Sequence, residues 1–287
     1  MGTLSKRLTA ITASFAAAMM LSACAGPAAT PAPVQTPSES GSAPAEVTLV
    51  KVGASPVPHA RILEFIDQNL AAAAGIDLEI REFDDYVLPN EALASGELDA
   101  NYFQHLPYLE NQIAEKGYQF EHGAGVHIEP YAAFSSKYKT FDEVPDGASI
   151  AITNDVANQI RGLRLLEQVG QLNGITDDST AINLTAEQNP RGFKFVENQP
   201  EVIVQQLDDP AIDVAFVNGN FILSAGLNTD NAIAVETVEG NPNANLLAWR
   251  TDNTNPGVAK LEELLHSPEV ADFIRQTWPS GDVLPQG

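Results

Sequence analysis

The sequence contains little cysteine and few basic residues for its length of 287. Its one cysteine, Cys24, allows neither an intrachain disulfide nor a cysteine-based zinc cluster. Fifteen Lys and Arg stand against 38 Asp and Glu, which gives a formal net charge of −23. A generic nucleic-acid-binding protein is excluded because phosphate backbones need a basic footprint. The same balance argues against electrostatic docking on anionic lipid.

Catalytic and cofactor motifs are also missing. The chain has no G-x-S-x-G elbow, Walker A loop, dinucleotide fingerprint or H-E-x-x-H motif, so we expect no enzyme and no cofactor. The five histidines lack the spacing of a metal motif, and we predict no metal site. His122, His127 and Glu129 form the nearest cluster. A zinc or manganese site stays an alternative because distance along the sequence does not limit distance in space.

The N-terminal residues have the pattern of an export signal. Lys6 and Arg7 precede the apolar residues 8–21, a stretch too short to span a bilayer stably. The run LSAC that ends at Cys24 resembles a bacterial lipobox, in which the cysteine thiol receives diacylglycerol. The alternative is an ordinary secretory signal with an incidental cysteine. We expect residues 1–23 to be removed, the mature charge to be about −25, and acyl chains on Cys24 to anchor the protein.

The segment after the lipobox differs in composition from the rest of the chain. Residues 24–46 are mainly Pro, Ala, Ser and Thr and cannot bury enough surface to offset their ordering entropy. We interpret them as a flexible tether. The fold is predicted to begin near Val47.

Strand and helix patterns alternate along the remaining chain. The predicted strands are 47–52, 77–83, 149–153, 192–196, 213–217, 232–236 and 245–249, and the predicted helices are 62–70, 157–169 and 202–207. This alternation predicts an α/β fold with mainly parallel sheets. The roughly 240 residues involved form two lobes more comfortably than one core.

Aromatic side chains concentrate in two segments that follow the second predicted strand. The first contains Tyr86, and the second, residues 98–108, contains Phe103, His105 and Tyr108. Aromatic rings with polar tips are the usual lining of a small-ligand pocket. The alternative is that Phe103 and Tyr108 are core residues beneath a loop.

A polar segment opens the helix that follows the strand 149–153. Asn154 or Asp155 can cap this helix, and Asn154, Asn158 and Arg161 share one face near its positive end. A carboxylate suits that combination, because an arginine can pair with it through two hydrogen bonds. The alternative is a well-capped helix with a surface arginine.

Two amides, Asn218 and Asn220, lie where another predicted strand ends. They can bind an ammonium or a carboxylate group, or they can simply form the tight turn that Asn-Gly favours.

At these residues the chain resembles the methionine-binding lipoproteins of ABC importers, the NlpA/MetQ family. The segments that carry the resemblance are 51–60 (KVGASPVPHA), 83–109 (FDDYVLPNEALASGELDANYFQHLPYL), 126–130 (VHIEP), 154–167 (NDVANQIRGLRLLE) and 217–227 (VNGNFILSAGL). Segment 83–109 is the most specific of them.

The resemblance implies a two-lobed periplasmic-binding-protein fold, type II-like, with a ligand cleft between the lobes. Lobe 1 would comprise residues 47–130 plus 237–287, and lobe 2 residues 131–236. The ligand side chain would be surrounded by Tyr86, Phe103, His105 and Tyr108. The polar groups of its backbone would be held by Arg161 at the α-carboxylate, with support from Asn158, and by Asn218, Asn220 and Asn245.

The resemblance further implies a non-enzymatic receptor that captures L-methionine or a related amino acid and delivers it to an ABC permease with its ATPase. It would be lipid-anchored on the extracytoplasmic face of the cell membrane. The alternatives are a methionine dipeptide or another apolar amino acid as cargo, and an interaction protein that has lost transport. Another is a divalent-metal-binding lipoprotein that uses His105, His122, His127 and Glu129.

Three positions depart from the family pattern. Phe221 and Asn243 stand where tyrosine is common, and Ile160 stands where glycine is common. The first two bear on side-chain selectivity, and Ile160 adds bulk beside Arg161.

Overall fold

Two β-sheets with helices packed against them organise the part of the chain that the structure describes. The structure, a computed structural model, describes residues 47–286. The predicted signal peptide, Cys24 and the tether lie outside these residues. The strands are β1 Thr48–Ala54, β2 Ile76–Glu82, β3 Ala100–His105, β4 Phe120–Ile128, β5 Ala132–Phe134, β6 Ser149–Thr153, β7 Lys194–Asn198, β8 Val214–Val217, β9 Ala234–Val235, β10 Asn245–Arg250 and β11 Leu284–Pro285.

The helices lie mainly between the strands. They are α1 Arg61–Ile66, α2 Ala72–Ala74, α3 Leu88–Ser95, α4 Leu106–Lys116, α5 Val156–Gln168, α6 Pro200–Ile203, α7 Gly219–Ser224, α8 Pro256–Leu265 and α9 Pro268–Thr277. A π-helical turn, Asp67–Ala71, joins α1 to α2, and Gly75 ends this helical stretch with a left-handed conformation at φ 68°. Within 47–286, no helix combines the length and the apolar character needed to cross a membrane.

The first sheet has the strand order β11-β4-β10-β3-β1-β2, and the second has β7-β6-β8-β5-β9. Strand β1 runs parallel to β2 and β3, and β6 runs parallel to β7 and β8. The other pairs are antiparallel, so the prediction of mainly parallel sheets was wrong. The cause is clearest at β10, whose first residue, Asn245, pairs with the last residue of β3, His105. A strand whose first residue pairs with the last residue of its neighbour runs antiparallel to that neighbour.

Each sheet has its own hydrophobic core. In the first, Ile62 and Ile66 of α1 pack with Val50 and Val52 of β1, all of them completely buried. A separate core gathers β6 and the apolar face of α5 in the second sheet. These two cores define the first and the second lobe, and the predicted two-lobed α/β architecture is confirmed.

The chain passes between the two sheets twice. The first connection runs from the end of β4 to the start of β5, and the second from the end of β9 to the start of β10. The first connection contributes Glu129 to the lining of the site described next, and the second leads into β10, whose first residue, Asn245, also lines that site.

Candidate ligand-binding site

A cavity that is partly open to solvent lies between the two lobes. All nine residues predicted to bind a ligand line it, together with three that were not predicted. The lining residues are Tyr86, Phe103, Gln104, His105, Tyr108, Glu129, Asn158, Arg161, Asn218, Gly219, Asn220 and Asn245. The sequence-predicted set is therefore one spatial cluster, while its role in ligand binding stays a prediction.

The ends of strands explain why these residues meet. His105 is the last residue of β3, Asn218 directly follows β8, and Asn158 lies in the first turn of α5, just after β6. In α/β sheets, ligands bind outside the carboxyl ends of parallel strands, because loops and helix N-termini converge there. Asn245 joins them from the start of β10, opposite His105.

One wall of the cavity is aromatic. The ring centroids of Tyr86 and Phe103 are 5.9 Å apart, those of Tyr86 and Tyr108 are 5.8 Å apart, and those of Phe103 and Tyr108 are 6.2 Å apart. The Tyr108 hydroxyl donates to the backbone carbonyl of Tyr86 at 3.0 Å and so fixes the two rings relative to each other. Phe103 and Tyr108 are almost fully buried and also line the cavity, so they are core residues, and their role in a ligand pocket stays a prediction.

A chain of hydrogen bonds links the lobes at His105. Its Nδ1 accepts from the backbone N–H of Tyr108 at 3.2 Å, so Nε2 carries the proton and donates to Asn158 Oδ1 at 2.9 Å. The same oxygen accepts from Asn218 Nδ2 at 2.9 Å. Burial and the nearby Arg161 guanidinium lower the pKa of His105 from 6.5 to about 4, which keeps the ring neutral at physiological pH.

A second hydrogen bond between the lobes starts at Tyr86. Its hydroxyl donates to Asn220 Oδ1 at 2.5 Å, and Asn220 lies in the first turn of α7. Next to it, the buried Oδ1 of Asn218 has no hydrogen-bond partner within 47–286. An unpaired acceptor in a buried position is costly, so this atom favours a ligand that donates a hydrogen bond.

Arg161 lines the cavity, but its guanidinium is paired with a neighbouring carboxylate. Nε donates to both carboxylate oxygens of Glu236 at 2.8 Å, and Nη2 donates to one of them at 2.5 Å. Nη2 also donates to the backbone carbonyl of Glu129 at 2.7 Å. Nη1 forms no hydrogen bond with another described residue. Nη1 is therefore the donor that remains available for a ligand carboxylate.

The cap of α5 is provided by Asp155 and not by Asn154. The carboxylate of Asp155 accepts from the backbone N–H of Asn158 at 2.8 Å and from its side chain at 3.0 Å. Asn154 is exposed and does not line the cavity, so its predicted place on one face with Asn158 and Arg161 was wrong. The helix begins at Val156, which puts Asn154 outside the helical repeat.

A buried polar cluster adjoins the cavity at Glu129 and Asn245. Glu129 Oε1 accepts from His127 Nε2 at 2.8 Å and lies 3.3 Å from His59 Nε2, which donates to Asn245 Oδ1 at 3.1 Å. The Tyr102 hydroxyl donates to His127 Nδ1. Burial lowers the pKa of His59 to about 4 and that of His127 to about 3, and it raises the pKa of Glu129.

The metal-binding set that the sequence suggested does not assemble. His127 and Glu129 are in contact, but His105 bonds Asn158, and the exposed His122 bonds the carbonyl of Gly123. His59 completes the group instead, and the donor atoms of His59, His127 and Glu129 lie within 4.8 Å of one another. The four residues predicted from the sequence are thus not one site.

The three lining residues that were not predicted as binding residues have recognisable roles. Gln104 Nε2 donates to the side-chain oxygens of Asn90 and Asn101, in a buried network behind the aromatic wall. Glu129 presents a buried carboxyl group, and it approaches Gly219 so closely that an added Cβ there would lie 2.4 Å from the Glu129 Cβ. Glu129 and Gly219 both lie in segments that carry the family resemblance. Those segments were the sequence signal that could have identified them as lining residues.

The three family departures lie around the cavity and not in its lining. Phe221 packs behind Tyr86, with ring centroids 5.3 Å apart. Asn243 donates to Glu236 Oε1 at 3.4 Å and to Asn241 Oδ1 at 2.7 Å. Ile160 and Asn243 both line a separate groove on the outer side of Arg161. Their effects on selectivity and on the packing of Arg161 stay predictions.

Known proteins resemble this chain over nearly all of its described length. The family model described as NlpA lipoprotein matches residues 50–287. The methionine-binding lipoprotein MetQ of Bacillus subtilis (strain 168) is 37% identical over 244 residues, which cover 82% of this chain and 87% of the relative. The resemblance predicted from sequence motifs is confirmed.

Solved structures agree in fold. A structure from Actinomyces odontolyticus superposes with a TM-score of 0.80 at 45% identity and covers 84% of this chain and 100% of its own. A nutrient binding protein from Burkholderia cenocepacia, solved bound to methionine, superposes with a TM-score of 0.77 at 34% identity and covers 83% and 100%.

Proposed function

The chain belongs to the NlpA lipoprotein family, and we propose that it is the substrate-binding lipoprotein of an ABC importer that captures methionine. One observation carries the proposal: a cavity between two lobes with an aromatic wall on one side and a wall of amide, carboxyl and guanidinium groups on the other. An amino acid with a long apolar side chain matches both walls, because its side chain is apolar and its backbone end is charged. The function is binding and delivery, without a chemical step.

The aromatic wall would take the thioether. Sulfur contacts with the rings of Tyr86, Phe103 and Tyr108 would each contribute about 0.3–1.5 kcal/mol. Removal of the side chain from water also favours binding through the hydrophobic effect. An unbranched side chain buries its surface well because it is flexible and fills irregular gaps. Related amino acids and methionine dipeptides are the other cargoes that this wall can accept.

The polar wall would take the amino-acid backbone. The α-ammonium group is matched by Glu129, by the unpartnered Asn218 Oδ1 and by Asn245, which are acceptors on residues that line the cavity. The α-carboxylate is matched by Nη1 of Arg161, with Asn158 and Asn220 beside it. Charged groups that leave water require such partners, since an unpaired buried charge costs several kcal/mol.

Closure of two lobes would enclose the ligand. We assign lobe 1 to residues 47–130 plus 237–287 and lobe 2 to residues 131–236. In support of these bounds, the strands of the first sheet fall within 48–128 and 245–285, and those of the second within 132–235. The bonds from His105 to Asn158 and from Tyr86 to Asn220 would form on closing and break on opening.

Delivery requires a membrane partner. Lipidated Cys24 would hold the receptor at the extracytoplasmic face of the membrane, and the tether of residues 24–46 would let it reach an ABC permease with its ATPase. Family membership supports this arrangement. The strongly acidic surface would keep the exposed domain soluble.

Mass spectrometry of protein purified without refolding tests the cargo directly. We expect a bound molecule with the mass of methionine. Thermal-shift screening against the twenty amino acids, D-methionine and methionine dipeptides should then give the largest increase with a methionine compound, because a ligand at 100 times its Kd stabilises the native state by about 2.7 kcal/mol. Equal shifts with all amino acids would contradict the proposal.

A second candidate function is divalent-metal binding, which the juxtaposition of His59, His127 and Glu129 favours. Two neutral imidazoles and a carboxylate are suitable zinc ligands. Chelator-treated protein titrated with Zn²⁺ or Mn²⁺ in a calorimeter decides between the candidates. Metal binding that His127→Ala abolishes, with no response to methionine, would replace the methionine proposal by this one.

A further inference from the structure

Glu236 joins the two connections between the lobes at the edge of the ligand cavity. It directly follows β9, at the start of the second connection. Its backbone N–H donates to the carbonyl of Tyr131 at 2.9 Å, and its Oε2 accepts from the backbone N–H of Tyr131 at 3.1 Å, in the first connection. Glu236 is therefore held in place by backbone contacts that do not depend on a ligand.

The carboxylate of Glu236 neutralises the cation nearest to the cavity. Arg161 is the only Lys or Arg among the described residues that line the cavity. Glu236 accepts three hydrogen bonds from it. Both side chains are about nine-tenths buried, so solvent screens their attraction little. Burial would raise the pKa of Glu236, but the Arg161 charge and its hydrogen bonds lower it overall, which keeps the carboxylate ionised.

The charge balance changes what the cavity can recognise. A ligand carboxylate near Nη1 of Arg161 meets a neutral pair, and the Glu236 charge opposes it. At the ammonium end, the Glu129 carboxyl group and the unpartnered Asn218 Oδ1 are both acceptors, and Arg161 donates to Glu129 only at its backbone carbonyl.

We propose that Glu236 determines the ligand specificity of this cavity by neutralising Arg161, so that binding depends more on the α-ammonium group of the ligand than on its α-carboxylate. The inference rests on the proposed function and adds a rule to it. Compounds that keep the amino group and the thioether side chain bind even when the carboxyl group is a neutral derivative. The corresponding acids without an amino group do not bind.

Calorimetry with three probes tests the inference: L-methionine, L-methioninamide, which has no carboxylate charge, and 4-(methylthio)butanoate, which has no amino group. For the wild-type chain we expect Kd to rise by less than about tenfold with the amide and by more than about 100-fold with the butanoate. In Glu236→Gln the guanidinium is no longer neutralised. The ratio of the amide Kd to the methionine Kd should then increase by at least about tenfold, while the methionine complex becomes tighter.

The control is Asp213→Asn, which removes the same charge from an ion pair with Lys137 in the second lobe, away from the cavity. This variant should leave the ratio of the amide Kd to the methionine Kd, and that of the butanoate Kd to the methionine Kd, at their wild-type values. A wild-type preference of more than about 100-fold for methionine over the amide would overturn the inference even if Glu236→Gln failed to fold. An unchanged ratio in folded Glu236→Gln would also overturn it and leave the proposed function standing. A wild-type chain that binds neither methionine nor the amide would remove the proposed function itself.

Discussion

At the scale of single residues, the cavity shows how a buried side chain acquires a defined chemical form. His105 has both ring nitrogens engaged, one as acceptor and one as donor, and this fixes a neutral tautomer between the two lobes. Arg161 is fixed by Glu236 in the same way. Each side chain thus presents one hydrogen-bonding pattern to a ligand, and little conformational entropy is lost when the ligand arrives.

The low pKa of His105 predicts that it makes folding sensitive to acid. Its folded pKa of about 4 lies below the ordinary value of 6.5, so the unfolded chain binds the proton more readily. Stability contributed by this group is complete above 6.5 and is lost as the pH falls from 6.5 towards 4. Between pH values of about 7.5 and about 5 the loss should be about 2 kcal/mol.

Urea denaturation of wild type and His105→Gln at those two pH values measures this contribution. Glutamine can still donate to Asn158 but does not titrate. The stability loss of the variant should be smaller by about 2 kcal/mol. Equal losses in both proteins would show that His105 does not control the acid response.

Truncation of Arg161 should weaken methionine binding. We expect Arg161→Ala to raise Kd at least about tenfold, or about 1.4 kcal/mol. The ligand carboxylate loses a donor and faces the unpaired Glu236 charge. Calorimetry on folded protein measures the change, and Arg164→Ala is the matched control, because Arg164 forms an exposed pair with Asp177. Unchanged affinity in Arg161→Ala would exclude Arg161 from ligand binding.

At the scale of elements, short helices after strands carry the amides of the site. Helix α7 begins at Gly219, between Asn218 and Asn220, and it can approach Glu129 because Gly219 has no side chain. The position of this helix sets the distance between both amides and the first lobe. One methyl group at Gly219 therefore affects two lining residues at once.

The variant Gly219→Ala tests that dependence. Its Cβ would lie 2.4 Å from the Glu129 Cβ and 2.9 Å from Oε2, so α7 has to move away. We expect Kd for methionine to rise by more than about tenfold, since Asn218 and Asn220 move with the helix. Ser224→Ala, on an exposed position of the same helix, should leave Kd unchanged. Wild-type affinity in Gly219→Ala would mean that the close approach has no role in binding.

Strand β3 shows why some elements escape prediction. All six of its residues are buried, including Asn101, Gln104 and His105, so the sequence lacks the apolar–polar alternation of a half-exposed strand. Its position between β1 and β10 in the first sheet accounts for that burial. The strand 149–153, by contrast, was predicted with its observed bounds, because its three central residues, Ile150 to Ile152, form an apolar run between polar segments.

At the scale of the whole molecule, the proposed function requires both a cleft and an anchor. Two connections between the lobes permit a hinge, and the buried Arg161–Glu236 pair lies beside both of them. The predicted lipid anchor, Cys24, lies outside the described residues.

Replacement of Cys24 should separate binding from membrane attachment. We expect Cys24→Ser to abolish palmitate incorporation and to move the protein from the membrane to the soluble fraction, while Kd for methionine stays the same. Metabolic labelling and fractionation measure the first two, with Ser40→Ala in the tether as control. Continued lipid labelling of the variant would contradict the lipobox prediction.

The sequence by itself determined the two-lobed α/β class, the family and nine of the twelve residues that line the cavity, because strand ends and local motifs depend on short stretches of chain. Only the tertiary structure decided how those residues pair. Residues 161 and 236 are 75 positions apart, and nothing local to Arg161 indicates that Glu236 neutralises it. The same holds for His59 beside Glu129 and for the approach of Gly219 to Glu129. Charge balance and close contact depend on distances in space, which the fold sets.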